Sequence, residues 1–512
     1  MPVKKKIVLF DSNIRYVGVP LALLSITRLL NVEKYDIHII TKTAFPDYED
    51  EILKQCDGAL CFGVTCITGT PIKHALKISE LVKKHYPLLP VIWGGWQPTT
   101  LPEVTLNNPN VDYICTGQGE RTFLEFINFL ESQDDDSIDK IRGLSYKQDG
   151  IIKHNAKREL EDPNLFPDYD LRLINWGEFL EVTDYGTKTL RILTSYGCAY
   201  RCGFCCEPLQ SERRWKSFTA DRVIDFLKNL RQVVYFDSLV IVDSNFFTNQ
   251  MRVVKFCEGL LENNFNIRLG QVNGRVNELI LYKEESWELL RRAGFYQILI
   301  GAESASNETL KLINKDGKVE DTVELVKIAS RHNIMLVVST ILGLPLDAYF
   351  TKNRDKAFNK ELIELFGLYK NLNKINPKTL LLTFVYTPLP FSPMYNKVIE
   401  LGFVPPKTLE EWASYEITDI HIDWISQKNL AKVQMLNYTC GTMSIDFSYI
   451  MSVLPFFVKW MALPVVSLAK FICYLRLKFG ILFFPLDMKL FYWGLTVFKK
   501  MNRSLNFVNI GD

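Results

Sequence analysis

The segment Ser195-Tyr-Gly-Cys198-Ala-Tyr-Arg-Cys202-Gly-Phe-Cys205-Cys206 sets three thiols at C-x3-C-x2-C spacing, directly after the apolar run Thr189-Leu-Arg-Ile-Leu-Thr194. Thiolates are soft ligands that suit zinc or iron–sulfur clusters. Four-cysteine zinc sites and ordinary clusters use four protein ligands. Here three are grouped, and no second cysteine pair follows at zinc-ribbon spacing. Cys206 adjoins Cys205, so its side chain is expected to face away from the same metal. A four-iron cluster on Cys198, Cys202 and Cys205 would keep one iron open for a small molecule.

Downstream, helical patterns alternate with apolar runs that read as strands. The strand Ser238-Leu-Val-Ile-Val242 ends in Asp243-Ser-Asn245, and the next leads to Asn273-Gly-Arg275. A third, Gln297-Ile-Leu-Ile-Gly301, runs into Ala302-Glu303-Ser304; a fourth leads to Gly343-Leu-Pro345, and Leu380 to Tyr386 closes the series. About six strand–helix units over residues 189–400 predict a full or partial barrel of parallel strands. In such barrels functional residues gather at the carboxyl ends of strands, where the cysteine loop, Asp243, Asn245, Arg275 and Glu303 all fall. A carboxylate placed as Glu303 is can hydrogen-bond a ribose diol or an ammonium group.

Upstream, residues 1–140 alternate in the same way and predict a doubly wound parallel sheet, on which ligands bind beyond the carboxyl ends of the strands. Small and hydroxyl-bearing residues collect there: Thr65, Thr68 and Gly69 after one strand, Gly94, Gly95, Gln97 and Thr99 after the next, Gly117, Gly119 and Glu120 after the last. No G-x-G-x-x-G follows the first strand, which argues against a dinucleotide. Residues 141–188 read as a linker with a short hairpin and a proline-containing acidic connector. Residues 401–512 read as a helical, aromatic-rich segment.

Composition narrows the classes. The 512 residues are 47% hydrophobic and 23% charged, which is globular, and a net charge of +2 gives no reason to expect nucleic acid. Eleven cysteines in so long a chain are not a secreted disulfide scaffold. The start lacks the apolar core of a signal peptide, so a cytoplasmic location is expected.

Phe62-Gly-Val-Thr-Cys-Ile-Thr-Gly69, Trp93-Gly-Gly-Trp-Gln-Pro-Thr99 and Asp112-Tyr-Ile-Cys-Thr-Gly-Gln-Gly-Glu120 resemble the cobalamin-binding domain that precedes many radical S-adenosylmethionine (SAM) domains. The cysteine spacing with Phe204 before the last thiol, together with Gly301-Ala-Glu-Ser304 and Gly343-Leu-Pro345, resembles the radical SAM domain itself. The resemblance implies a 4Fe-4S cluster on Cys198, Cys202 and Cys205, SAM on its open iron, and cobalamin on the N-terminal rim. It implies that Glu303 contacts the ribose or amino group of SAM, with Asp243, Asn245 and Arg275 as nearby polar contacts. Two departures stand out: Gln97 replaces a histidine found in many relatives, and D-x-H-x-x-G is absent, which implies a cobalt without a histidine from that motif. His74 is expected to be a surface or packing residue.

The implied activity is reductive cleavage of SAM used to methylate an unreactive carbon, fed by an electron donor such as flavodoxin or ferredoxin. Within the family the alternative is a ring-forming or oxidative enzyme of the tetrapyrrole-cyclase kind. From another class, it is a structural zinc- or cluster-binding protein. Cys440 is isolated, either a buried small residue or an acid/base thiol near substrate. The apolar stretch Phe447 to Leu475 is broken by Pro455, Lys459, Pro464 and Lys470, which argues against a spanning helix. The segment reads either as a helical cap packing on the barrel or, with lysines and Arg476 beside Trp460, Phe479, Phe483, Phe484 and Trp493, as a peripheral contact with a membrane that would fit a hydrophobic substrate.

Overall fold

The computed structural model describes residues 4–14, 18–132, 135–415, 422–444, 456–483 and 485–491. The chain opens on β1 (Lys5–Asp11), whose Ile7–Phe10 segment is fully buried. Burying side chains of this kind contributes roughly 1.5–3 kcal/mol each. β2 (Tyr35–Ile40), β3 (Ala59–Thr65), β4 (Val91–Gly94) and β5 (Tyr113–Cys115) join it in parallel. The order β2-β1-β3-β4-β5 reverses at β1, so the crevice where ligands bind lies beside β1 and β3.

This sheet does not stop at residue 140. β6 (Leu144–Gln148) and β7 (Ile151–His154) form a hairpin added antiparallel to β5, so the first part of the expected linker belongs to the sheet. A hairpin needs only a tight turn, here at Asp149 and Gly150, both in the left-handed region.

The second body begins at β8 (Thr189–Ile192). The short β9 (Ser195–Gly197) and β10 (Trp215–Ser217) pair antiparallel and close the cysteine loop between them. β11 (Ser238–Ile241) pairs with β8 and with β12 (Arg268–Gly270). β13 (Val272–Arg275), β14 (Gln297–Glu303), β15 (Met335–Leu342) and β16 (Leu380–Val385) form a second parallel sheet. β12 and β13 are one strand bent at Gln271, whose φ is +51°. The wall therefore runs β8-β11-β12/β13-β14-β15-β16, a partial barrel of parallel strands.

Both open edges are covered. The backbone of Glu181 pairs with Thr189 on β8. On β16 the side chain of Asn437, from helix Gln427–Ser444, accepts from Thr383 N–H at 2.8 Å and donates to Thr383 C=O at 2.7 Å. An amide side chain thus stands where a further strand would pair. The chain then returns to its start: Leu409 and Trp412 of helix Leu409–Ala413 complete the core under the N-terminal sheet. Among the described residues no helix is long and apolar enough to cross a membrane.

Candidate active site

Gly197 precedes the first cysteine at φ +77°, and a Cβ there would lie 2.2 Å from the Arg214 carbonyl oxygen. Only glycine lets the two ends of the cysteine loop close this tightly. Cys198 and Cys205 are partly exposed and Cys202 is buried. Burial pushes the Cys198 and Cys205 thiols up, and the charge of Cys202 adds to both. The three therefore share one electrostatic environment. Among the described residues, however, no three His, Cys, Asp or Glu side chains converge as ligands of a single ion. Three thiols carried on one loop fit three protein ligands of an iron–sulfur cluster.

The loop is held from below by Asp243, at the end of β11. Its carboxylate accepts from Thr194 N–H, Thr194 Oγ1 and Ser195 Oγ, each at 2.6 Å. Arg252 donates to Thr194 O at 3.0 Å and Thr194 Oγ1 at 2.6 Å. Asp243 is fully buried, which pushes its carboxyl up, while Arg252 opposes that shift. Expected as a polar contact to SAM, Asp243 instead spends its oxygens positioning the strand that leads into Cys198.

Asn245 and Arg275 reach the loop differently. Asn245 Nδ2 donates to Glu278 Oε2 at 2.8 Å, and Tyr200 OH, inside the loop, donates to Glu278 Oε1 at 2.6 Å. The Arg275 guanidinium stacks 3.5 Å from the Tyr200 ring centroid, and its Nη1 donates to Cys202 Sγ at 3.1 Å. Two buried atoms here have no hydrogen-bond partner, Asn245 Oδ1 and Arg275 Nη2, although Nη2 lies 3.7 Å from Asp316 Oδ2 in an ion pair. An unpartnered acceptor and a cationic donor held only by a long ion pair, both beside the cysteines, fit the ammonium and carboxylate of an amino-acid group such as that of SAM.

Glu303 ends β14 with φ +62°, an uncommon conformation for a residue with a side chain. Its Oε1 accepts from Lys315 Nζ at 2.8 Å in a buried pair. A Cβ on Gly301 would lie 2.0 Å from that oxygen, so the small residue makes room for the carboxylate. A cleft of about 650 Å³ opens alongside, lined by Tyr200, Arg201, Asn307, Lys311, Lys315 and Lys318. Gly343, past β15, is fixed by Trp424 Nε1, which donates to its carbonyl at 2.9 Å.

The N-terminal rim is built at the ends of β3, β4 and β5. Thr65 pairs with Gly94 in the last register of the sheet. Gly95 has φ +98°, and a Cβ on it would meet Cys66 O at 2.7 Å, so the backbone there is as close as glycine allows. Thr68 Oγ1, beside Gly69 at the start of helix Thr70–His85, donates to Gln97 Oε1 at 2.8 Å. Gly117 N–H donates to Thr99 Oγ1 at 3.1 Å, and a Cβ on Gly119 would crowd Ile26 at 2.8 Å. Gln97 is fully buried, yet its Nε2 has no partner. A bare backbone rim and an unspent buried amide donor fit a large polar ligand such as cobalamin.

Glu120 does something the sequence reading did not assign to it. It turns away from its neighbours on the rim into the contact between the two bodies, where Tyr196 OH, two residues before Cys198, donates to its Oε1 at 3.5 Å. Tyr196 also meets Ser25 Oγ at 3.2 Å, and Arg28 Nη1 lies 3.8 Å from Glu120 with both side chains buried. Arg28 packs its guanidinium against Phe166, Tyr169 and Phe218. Burial pushes the Glu120 carboxyl up.

Cys440 is fully buried on helix Gln427–Ser444 and its thiol is pushed far up by burial, so it offers no surface to a substrate. Sequence reasoning missed Glu278, Tyr200, Tyr196, Arg252 and Lys315. The first three stand within three residues of residues it did name, and that adjacency was the available signal.

Comparison with known proteins agrees with this geometry. The Radical SAM superfamily matches residues 192–348 and the B12 binding domain matches residues 8–127, together more than half of the chain. An uncharacterized methyltransferase of Pyrococcus horikoshii is 27% identical over 64% of this chain and 70% of its own length. The anaerobic magnesium-protoporphyrin IX monomethyl ester cyclase of Synechocystis sp. is 24% identical over 68% of each chain. Among solved structures, the cobalamin-dependent SAM radical enzyme OxsB, with aqua-cobalamin and SAM bound, superposes with a TM-score of 0.70 at 20% identity, covering 99% of this chain and 77% of its own. The radical SAM methyltransferase TsrM from Kitasatospora setae gives 0.60 at 18% identity, covering 78% and 76%. The chain thus belongs to the radical SAM superfamily, in the group whose radical SAM domain follows a B12-binding domain, and its cofactors are a 4Fe-4S cluster, SAM and cobalamin.

Proposed function

We propose that the protein is a cobalamin-dependent radical SAM C-methyltransferase acting on an unreactive carbon of a small molecule. The observation that carries this reading is the Tyr196 link: the strand entering the cysteine loop hydrogen-bonds to Ser25 and Glu120 of the B12-binding domain. Cluster loop and cobalamin rim are thereby held in one frame, as transfer between the two cofactors requires. Bound there, the cluster supplies the electron that cleaves SAM, and cobalamin supplies a transferable methyl group.

The chain's own residues hold and orient. Cys198, Cys202 and Cys205 ligate the cluster. Asp243 and Arg252 fix the approach strand, and Asn245 Oδ1 and Arg275 Nη2 accept and donate to the amino-acid end of SAM. Glu303, set by Lys315, faces its ribose. Thr65, Gly94, Gly95 and Gln97 line the cobalamin face. The basic cleft with Arg201, Lys311 and Lys318 supports docking of an electron donor, such as a flavodoxin or ferredoxin, that presents acidic residues. A hydrophobic substrate drawn from a membrane surface also fits, given the apolar C-terminal helix.

Reaction of the reconstituted protein with methyl-labelled SAM, hydroxocobalamin and a reductant tests the proposal against extracts of its host. Label in a carbon-bound methyl group is the expected result. SAM cleavage with an unlabelled, cyclised or oxidised product would replace methyl transfer by the cyclase reading.

A further inference from the structure

Helix Phe456–Phe479 packs on helix Gln427–Ser444 through one narrow face, burying Ala469, Cys473, Arg476 and Leu477. Among the described residues, the opposite face presents exposed apolar side chains. Trp460, Leu463, Leu468, Phe471, Tyr474 and Phe479 recur at steps of three to five and are each about half exposed or more, with Trp460 at 72%. Steps of this size put them on one stripe of a helix, about 30 Å long for some 20 residues. Phe483 and Leu486 extend the exposed apolar surface past the helix end. At roughly 100 Å² per exposed side chain the area is on the order of 700 Å², beyond the largest apolar patch of a typical monomer.

The charges around the stripe say what covers it. Residues 456–512 hold eight Lys or Arg and two Asp. Of the two, Asp487 is taken by Arg476 in a largely buried pair at 2.5 and 3.1 Å. Lys478 and Lys489 are exposed beside the stripe. Lys370, from helix Arg354–Ile375, donates to Lys478 O at 3.3 Å and adds a third cation at the same end. A second copy of the chain would bring this face against one that lacks accessible carboxylates in the described part, and lysine is depleted in protein interfaces. Apolar side chains with a tryptophan, a tyrosine and flanking lysines instead match the boundary of an anionic bilayer, where rings sit at headgroup depth and lysines reach the phosphates.

We propose that helix Phe456–Phe479 lies in the plane of an anionic lipid surface and anchors the enzyme there peripherally. The inference is independent of which radical reaction the barrel runs. Flotation of the full-length holoprotein with vesicles of 30% phosphatidylglycerol in phosphatidylcholine, against phosphatidylcholine alone, tests it. At least tenfold preference for the anionic vesicles is expected, falling severalfold between 0.1 and 0.5 M salt. The double variant Leu468→Ser, Phe471→Ser should lose at least tenfold in binding with an unchanged melting temperature. Lys478→Glu with Lys489→Glu should lose about fivefold per residue on anionic vesicles only. Absence of binding to either vesicle, equal binding to both, or a concentration-dependent dimer that dissociates in the Leu468→Ser, Phe471→Ser variant would each overturn it.

Discussion

Arg275 Nη1 lies 3.1 Å from Cys202 Sγ, which puts a buried guanidinium against one of the three thiols proposed to ligate the cluster. A fixed positive charge stabilises added negative charge, so it raises a cluster's reduction potential. Arg275→Met should lower the potential of the reconstituted cluster by on the order of 50 mV, the equivalent of about 1 kcal/mol for one electron. Redox titration followed by electron paramagnetic resonance reads the shift. An unchanged potential with full iron content would remove Arg275 from this role.

Asp243→Asn keeps the shape and replaces one accepting oxygen by a donor that faces other donors. It also leaves the Arg252 charge uncompensated in a buried site. The expected loss is about 2–4 kcal/mol in denaturant unfolding, with reduced iron retention at equal protein. Iron and sulfide analysis of the refolded variant separates the two effects.

Tyr196→Phe removes a single hydroxyl between the cysteine loop and the B12-binding domain. Stability should fall by no more than about 1–1.5 kcal/mol. If the hydroxyl keeps the two cofactors in register, methyl transfer per SAM cleaved should fall severalfold while cleavage persists. Parallel assay of 5'-deoxyadenosine or S-adenosylhomocysteine and of methylated product gives that ratio.

Gly95→Ala introduces a Cβ 2.7 Å from Cys66 O on a backbone at φ +98°. It should cost at least about 1–2 kcal/mol and weaken cobalamin binding by tenfold or more. Equilibrium titration with hydroxocobalamin, followed by its visible spectrum, checks this. Gly150→Ala, in the hairpin turn with open space around it, should carry the backbone strain without the binding defect.

Asp11, at the carboxyl end of β1, has its carboxyl pushed up to about 6 by burial, against an ordinary value near 3.8. The folded chain therefore holds this proton more tightly than the unfolded chain. The contribution is favourable below about pH 4 and is lost as pH rises through about 6, by up to about 3 kcal/mol. Asp11→Asn should raise the melting temperature at pH 7.5 and leave it little changed at pH 4. A difference of equal size at both pH values would contradict the burial effect.

Much of this was legible in the sequence, because it is written locally. The cysteine spacing, the small residues after β3 and β4, and the alternation of apolar strands with amphipathic helices each depend on neighbours within a few positions. Long-range contacts were not legible. Nothing near Glu120 indicates that it pairs with Arg28 and Tyr196 rather than facing the rim, and nothing near Asn437 indicates that its amide completes the edge of β16. Asp243 was found by its place at a strand end, yet its oxygens are spent on Thr194 and Ser195, a partner choice only the packed barrel decides. The reading of residues 445–455, 484 and 492–512, including Phe484 and Trp493, lies outside the described residues.

The bend at Gln271 divides the register of the barrel wall into two segments. A slip of one residue in a strand turns every side chain to the other face of its sheet. If β12 and β13 were a single straight strand, a slip against β11 would carry Arg275 to the wrong side of the wall. With the kink between them, β12 keeps its register on β11 and β13 keeps its own on β14, while the Leu269–Phe295 bridge ties the two halves of the wall together. The cysteine side and the Arg275–Glu303 side of the site thus face each other across a wall whose direction is set at Gln271.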